Sequence, residues 1–382
     1  MTAGLPFFAA RPRLPRAVLA LSLCLLAACA PRGTITVVPP ETVPGPIEEV
    51  FVGTTRQLDT GGVYGGVRSE TLAFARYDIA IPPRRALGTV TWPTRPEKAD
   101  ASTDFLTTAQ VQHPTARAFR DDLRRSLAGT DGAAVIFVHG FNNTFSEGLY
   151  RFAQLTHDLQ IAETPVHYSW PSIAEPLGYV ADRDSSLFAR DGLEQLIREV
   201  RAAGARRIVL VAHSMGAFLT METLRQIAIR GDRALLDRID GVVLMSPDID
   251  VDVFRMQAKA IGTLPEPFVI FGSNRDSVLR LSSFITGQSE GRLGALDTLD
   301  KLADLEVTYL DVGAFRDGTR HFAAGTSAGL IRIIGRIEDV DVAFGRDRAA
   351  RTGLLPGVVL TVRRATRIIL EPVGAITGTQ LN

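Results

Sequence analysis

Residues 207–216 read Arg-Ile-Val-Leu-Val-Ala-His-Ser-Met-Gly. Arg207–Ala212 is an aliphatic, β-branched run without polar alternation, as expected of a strand buried on both faces. Met215–Ile229 then carries helical spacing and is closed by Arg230-Gly231. A strand that turns through a Ser into a helix has the shape that nucleophilic chemistry needs. The tight turn lifts the hydroxyl above the sheet, and side chains two positions either side would collide across it, so Ala212 and Gly216 fit. Ala212 stands where a G-x-S-x-G pattern has its first Gly, so the weight rests on the strand–Ser–helix placement. The helix behind Ser214 presents its first backbone N–H groups where a developing oxyanion would sit.

The pattern repeats outward. Ala134–Val138, Val166–Trp170, Gly241–Met245, Phe268–Phe271 and Val307–Leu310 read as strands. Ser146–Leu159, Leu187–Val200, Val251–Ile261 and a stretch near Phe322–Ile334 read as helices. Apolar strands alternating with helices predict one α/β domain over residues 48–335, a mostly parallel twisted sheet with helices on both faces. Val50–Thr55 and Tyr77–Ile81 are expected as strands added at the sheet's edge.

In such sheets chemistry gathers at the carboxyl ends of the strands. Val138-His139-Gly140-Phe141-Asn142-Asn143 follows the first parallel strand, and the oxyanion hole is assigned to the backbone N–H groups of Phe141 and Met215. His139 is read as a loop-shaping hydrogen-bonding residue. A Ser hydroxyl needs a base. The histidines are 113, 139, 157, 167, 213 and 321, and in this architecture the base follows the acid, which follows the Ser, so His321 is selected. The acid is expected between Ser214 and His321 at a strand end. Asp276 is chosen, with Asp248, Asp250 and, further behind, Asp311 as competitors. Asp248 and Asp250 also read as helix caps ahead of Val251–Ile261.

Composition bounds the rest. The 382 residues hold 42 Lys+Arg and 42 Asp+Glu, a zero net charge that argues against nucleic-acid binding. The two cysteines, Cys24 and Cys29, exclude a disulfide scaffold and a Cys-based zinc site. Arg11, Arg13 and Arg16 precede an apolar run from Ala17 to Ala28, too short to span a bilayer and fitting a secretory signal, residues 1–28. The run ends Leu26-Ala27-Ala28-Cys29, which resembles the bacterial lipobox. That resemblance implies acylation of Cys29 and a membrane-anchored protein, in a Gram-negative cell at the outer membrane facing the periplasm. Residues 29–47 are Pro-rich and read as a spacer. Residues 336–382 read as a basic extension. Within it, residues 345–382 carry six arginines against two acids, and Val358, Val362, Ala365 and Ile369 would share one helical face. An amphipathic contact with anionic headgroups and a plain strand are both open readings.

Taken together these residues resemble the α/β-hydrolase superfamily, and more narrowly a bacterial family of esterase/lipase-like proteins of undefined substrate. The resemblance covers residues 50 to about 335. It rests on Val52-Gly53-Thr54-Thr55-Arg56, Ile81-Pro82-Pro83, His139-Gly140-Phe141-Asn142, Trp170-Pro171-Ser172, Ala212-His213-Ser214-Met215-Gly216, Pro247-Asp248-Ile249-Asp250 and Asn274-Arg275-Asp276. It implies a Ser214–Asp276–His321 triad with the Phe141 and Met215 oxyanion hole, no metal and no organic cofactor. The expected activity is cleavage of a small-molecule or lipid carboxylic ester. The alternatives are acyl transfer or amide cleavage by the same triad, and a non-catalytic envelope binding protein. Residues 290–305 are expected as a flap over the site.

Overall fold

The computed structural model describes residues 32–287, 291–297, 299–334, 357–362 and 364–370; the expected signal and Cys29 lie outside them. Eleven strands are described: β1 (Ile47–Leu58), β2 (Tyr64–Ala80), β3 (Leu106–His113), β4 (Ala133–Val138), β5 (Thr164–Ser169), β6 (Arg207–His213), β7 (Ile239–Met245), β8 (Phe268–Gly272), β9 (Thr308–Asp311), β10 (Gly357–Val362) and β11 (Ala365–Leu370). They form one sheet in the order β10-β11-β9-β8-β7-β6-β4-β5-β1-β2-β3. Pairing is parallel from β11 through to β1, and antiparallel at both ends, where β2 and β3 close one side and β10 the other.

Successive strand residues point to opposite faces, and both faces are buried. In β4, Ala134, Ile136 and Val138 join an apolar cluster with Leu193, Leu196, Leu210 and Leu219. Val135 and Phe137 join the opposite cluster with Phe145, Leu149 and Phe152. Helices Arg190–Ala202 and Met215–Ile229 therefore cover one face and Phe145–Asp158 the other. Helix Phe145–Asp158 opens on a capping box. Thr144 Oγ1 accepts from Glu147 N (3.2 Å), and the Glu147 carboxylate accepts from Thr144 N (3.0 Å). Gly53 sets how closely β1 meets Arg190–Ala202, since a Cβ there would lie 2.7 Å from Leu196 Cδ1.

Register aligns the strand ends. Val138 of β4 lies beside Ala212 of β6, which lies beside Leu244 of β7. Phe271 of β8 pairs with Met245 of β7 and with Leu310 of β9. The loops after β4, β6, β7, β8 and β9 thus emerge along one edge of the sheet.

Several expectations are corrected or refined. Val50–Thr55 is not an edge strand: β1 lies between β5 and β2, and the edge is β3, whose half-polar sequence Leu-Thr-Thr-Ala-Gln-Val-Gln-His hid it. Of the two open readings of the basic extension, its described residues take the strand. β10 and β11 make a hairpin, β11 pairs with β9, and the sheet therefore runs past residue 335. The spacer is not free along its length, because Val38 N donates to Thr107 O (2.9 Å) and Thr107 N to Thr36 O (2.9 Å). The stretch after residue 290 is no flap where it is described. Arg292 and Leu293 are buried, and Leu293 N and Gly294 N donate to Ile249 O (2.8 Å) and Pro247 O (3.0 Å). The helix expected over residues 187–200 is two, Tyr179–Phe188 and Arg190–Ala202, that meet at Ala189. Among the described residues no helix is long and apolar enough to cross a membrane.

Candidate active site

β6 ends at His213, and the chain turns through Ser214 at φ 52°, ψ −119° before helix Met215–Ile229 starts. That left-handed backbone is strained for a residue with a Cβ. It is held by Ser214 N donating to Met245 O (2.9 Å) and by Asp248 N and Ala217 N donating to Ser214 O (3.2 and 3.0 Å). Gly216 is required by space. A Cβ there would stand 2.3 Å from His139 O and 2.6 Å from Val138 O, both backbone atoms that cannot swing away.

Ser214 Oγ lies 2.9 Å from His321 Nε2. His321 Nδ1 lies 2.8 Å from Asp276 Oδ2. The three residues come from loops after β6, β8 and β9 and meet although 107 positions separate His321 from Ser214. Asp276 is wholly buried and uses both oxygens: Oδ1 accepts from Val278 N (2.9 Å) and Leu279 N (3.1 Å), capping helix Ser277–Ile285. The cap therefore fixes which oxygen faces the imidazole.

The competing acids are engaged elsewhere. Asp248 forms a buried ion pair with Arg292 (Oδ1–Nε 3.0 Å) and accepts from Tyr179 Oη (2.8 Å) and Ser282 Oγ (2.6 Å). It caps no helix. Asp250 does cap Val251–Ile261, accepting from Asp252 N (3.0 Å) and Val253 N (3.1 Å). Asp311 pairs with Arg367 of β11.

Phe141 and Met215 flank the nucleophile's turn, and among the hydrogen bonds of the described residues neither N–H donates to a protein acceptor. The loop that carries Phe141 is shaped by His139 and its neighbours, and Asp182 is the member that sequence reasoning passed over. His139 stacks on Trp170 (4.9 Å, 10°), Trp170 Nε1 donates to His139 O (2.7 Å), and His139 Nδ1 lies 2.8 Å from Gly140 O. Asp182 accepts from Asn142 N (3.3 Å) and Ile173 N (2.7 Å).

Arg56 ties the same loop to β1. It is buried, with Nε donating to Ser169 Oγ (2.9 Å), Nη1 to Gly65 O (3.0 Å) and Ser172 O (2.9 Å), and Nη2 to Asn143 O (2.8 Å). Burial pulls its guanidinium down to about 9, with Asp182 acting against that fall, so it is still charged at neutral pH. A buried charge satisfied by carbonyls locks geometry more than it adds stability, but removing it strands those acceptors. Arg56→Met should therefore destabilise the fold by about 3 kcal/mol or more. Urea unfolding of the two proteins checks this.

Two further buried imidazoles contribute to the acid stability. Burial drives His167 down to about 3 and His139 well below its ordinary value. Both are neutral in the fold and take up a proton near pH 6.5 once unfolded. The unfolded state binds more protons in that window, so stability is fully present above about pH 6.5 and is lost as pH falls toward 3. Each histidine should remove about 1.4 kcal/mol per pH unit well below pH 6.5. Urea midpoints at pH 7.5, 6.0 and 5.0 should fall progressively, and a rise would contradict the burial argument.

Among the described residues no cluster of His, Cys, Asp or Glu could hold a metal ion. Residues 115–324 match the family described as alpha/beta hydrolase of unknown function (DUF900). Solved structures similar to the chain include a yden-like hydrolase from Pectobacterium atrosepticum, at 19% identity over 56% of this chain and 94% of that one, with a TM-score of 0.31. A cutinase-like protein from Cryptococcus sp. is 15% identical over 55% of this chain and 93% of that one, with a TM-score of 0.31. Lipase B from Aspergillus fumigatus is 13% identical over 43% of each chain, with a TM-score of 0.28. No curated protein matches the sequence. The family match, spanning more than half of the residues, carries the assignment, and the chain is a member of this α/β-hydrolase family of unknown function.

Proposed function

We propose that the protein is a serine hydrolase that cleaves carboxylic esters through an acyl-enzyme on Ser214. The observation that carries this reading is the continuous chain of contacts from Ser214 Oγ to His321 Nε2 (2.9 Å) and from His321 Nδ1 to Asp276 Oδ2 (2.8 Å). His321 takes the hydroxyl proton as Ser214 attacks the ester carbonyl, and Asp276 holds the tautomer that leaves Nε2 free to accept it. The N–H groups of Phe141 and Met215 receive the oxyanion, each such donor being worth about 2.7–4 kcal/mol of barrier. His321 then protonates the departing alcohol. Water repeats the cycle, with His321 as base, and frees the acid.

Cys29 carries a lipid anchor that holds the domain at a membrane, where a lipid or small-molecule ester is the substrate. The chemical test is to trap the intermediate. Intact-mass measurement during turnover of a slowly deacylated p-nitrophenyl ester should show one acyl group added, mapped to the Ser214 peptide. Turnover with a pre-steady-state burst but an adduct on another residue would reject the assignment.

A further inference from the structure

Beside the triad lies a cavity of about 270 Å³ that none of Ser214, Asp276 or His321 lines. Its walls come from the loop after β8, with Ser273 and Arg275, and the loop after β9, with Gly313, Phe315, Arg316 and Arg320. Three arginines thus line one small hollow, all of them partly open to solvent. None of the three forms an ion pair with a carboxylate among the described residues. Arg275 Nη1 donates to Gly313 O (3.2 Å), which bridges the two loops, and Arg275 N donates to Ser273 Oγ (3.1 Å).

The nearby acids are committed elsewhere. Asp311 pairs with Arg367 and accepts from Gly313 N (2.9 Å). Asp317 accepts from Ser327 Oγ (2.7 Å) and Gly329 N (3.0 Å). Asp276 faces His321. No ion pair within the described residues engages these guanidinium groups, which leaves them open to an external anion.

We propose that this cavity binds a phosphate ester group. Each guanidinium presents a planar fork of donors that takes up two oxygens. A carboxylate has two oxygens and satisfies one fork, whereas a phosphate monoester offers three terminal oxygens and a charge approaching −2 at neutral pH. The volume lies just under the usual range for small-molecule pockets, which suits a phosphoryl group with a short organic stem. Buried Phe315 gives that stem an apolar wall. Arg275 precedes Asp276 and Arg320 precedes His321, so the ligand would clasp the loop of the acid to the loop of the base. The inference stands apart from the esterase reading, because it rests on residues outside the triad and is read by binding.

The experiment uses the full-length protein and two phosphate sources: glycerol 3-phosphate followed by calorimetry, and sedimentation with phosphatidic acid vesicles set against phosphatidylcholine vesicles. Saturable one-to-one binding of the soluble ester, weakened at least tenfold in Arg275→Ala/Arg316→Ala, is expected. Ser214→Ala should bind as the wild type does. If only phosphatidic acid vesicles bind, and the double variant loses them, the source is a lipid headgroup; if only the soluble ester binds, the source is a free phosphate ester. Either outcome supports the site. Binding to neither source, undiminished binding by a double variant that melts as the wild type does, or loss of binding in Ser214→Ala would overturn it.

Discussion

Ser214→Ala should lower ester turnover by about 10⁶-fold while leaving the fold intact. The magnitude follows from what the hydroxyl is in this site. It is the atom that bonds to the substrate, and it contacts His321 Nε2 at 2.9 Å. Its removal strands no buried backbone group. The turn itself is held by main-chain bonds of Ser214 N to Met245 O and of Asp248 N to Ser214 O, which Ala retains. Ala adopts the φ of 52° at a cost similar to that of Ser, so the melting temperature should move by no more than a few degrees. Residual hydrolysis should persist above the uncatalysed rate, because the oxyanion donors and His321 stay in place. Initial rates with p-nitrophenyl esters, paired with thermal melts, measure both halves. Turnover equal to wild type would remove the nucleophile from the account.

Asp276→Asn should cost about 10⁴-fold in kcat, again with little loss of stability. The geometry dictates why. Val278 N and Leu279 N both donate to Oδ1 of residue 276, so an Asn must turn its carbonyl oxygen toward the helix to keep the cap. Its amide NH₂ then faces His321 Nδ1, where the carboxylate oxygen stood at 2.8 Å. A donor there forces Nδ1 to be an acceptor and moves the ring proton to Nε2. That nitrogen can no longer take the proton from Ser214. The charge that stabilises the imidazolium is lost as well. Asp276→Ala provides the contrast: it removes the cap too, so it should lose about 1 kcal/mol of stability that Asn retains. Equal kcat in Asp276→Asn and wild type would show that the imidazole is oriented by something else.

How much of this was legible in the sequence varies with how local the cause is. Met215–Ile229 and Val251–Ile261 run over the residues their periodicity marks, because cap, turn and apolar spacing are all written within a few positions. His321 and Asp276 could be chosen because chain order and strand ends restrict the candidates, and the fold places His321 against Ser214 and Asp276 against His321. Features made by distant pairing were not readable. Residues 357–370 carry apolar side chains that suit helix and strand spacing alike, and only β9, far back in the chain, decides for the strand. Arg56 and Arg292 look like surface charges until the tertiary structure surrounds one with carbonyls and the other with Asp248. Asp248 was a plausible acid for the same reason: nothing local announces that Arg292 occupies it.

The most direct measurement of the central claim is covalent labelling of the wild-type protein by a fluorophosphonate, with the modified peptide identified by mass spectrometry. Stoichiometric addition to Ser214, abolished in Ser214→Ala and slowed by several orders of magnitude in Asp276→Asn, is the predicted result. A folded wild-type protein that stays unlabelled, or one that carries the label on any residue other than Ser214, would contradict it.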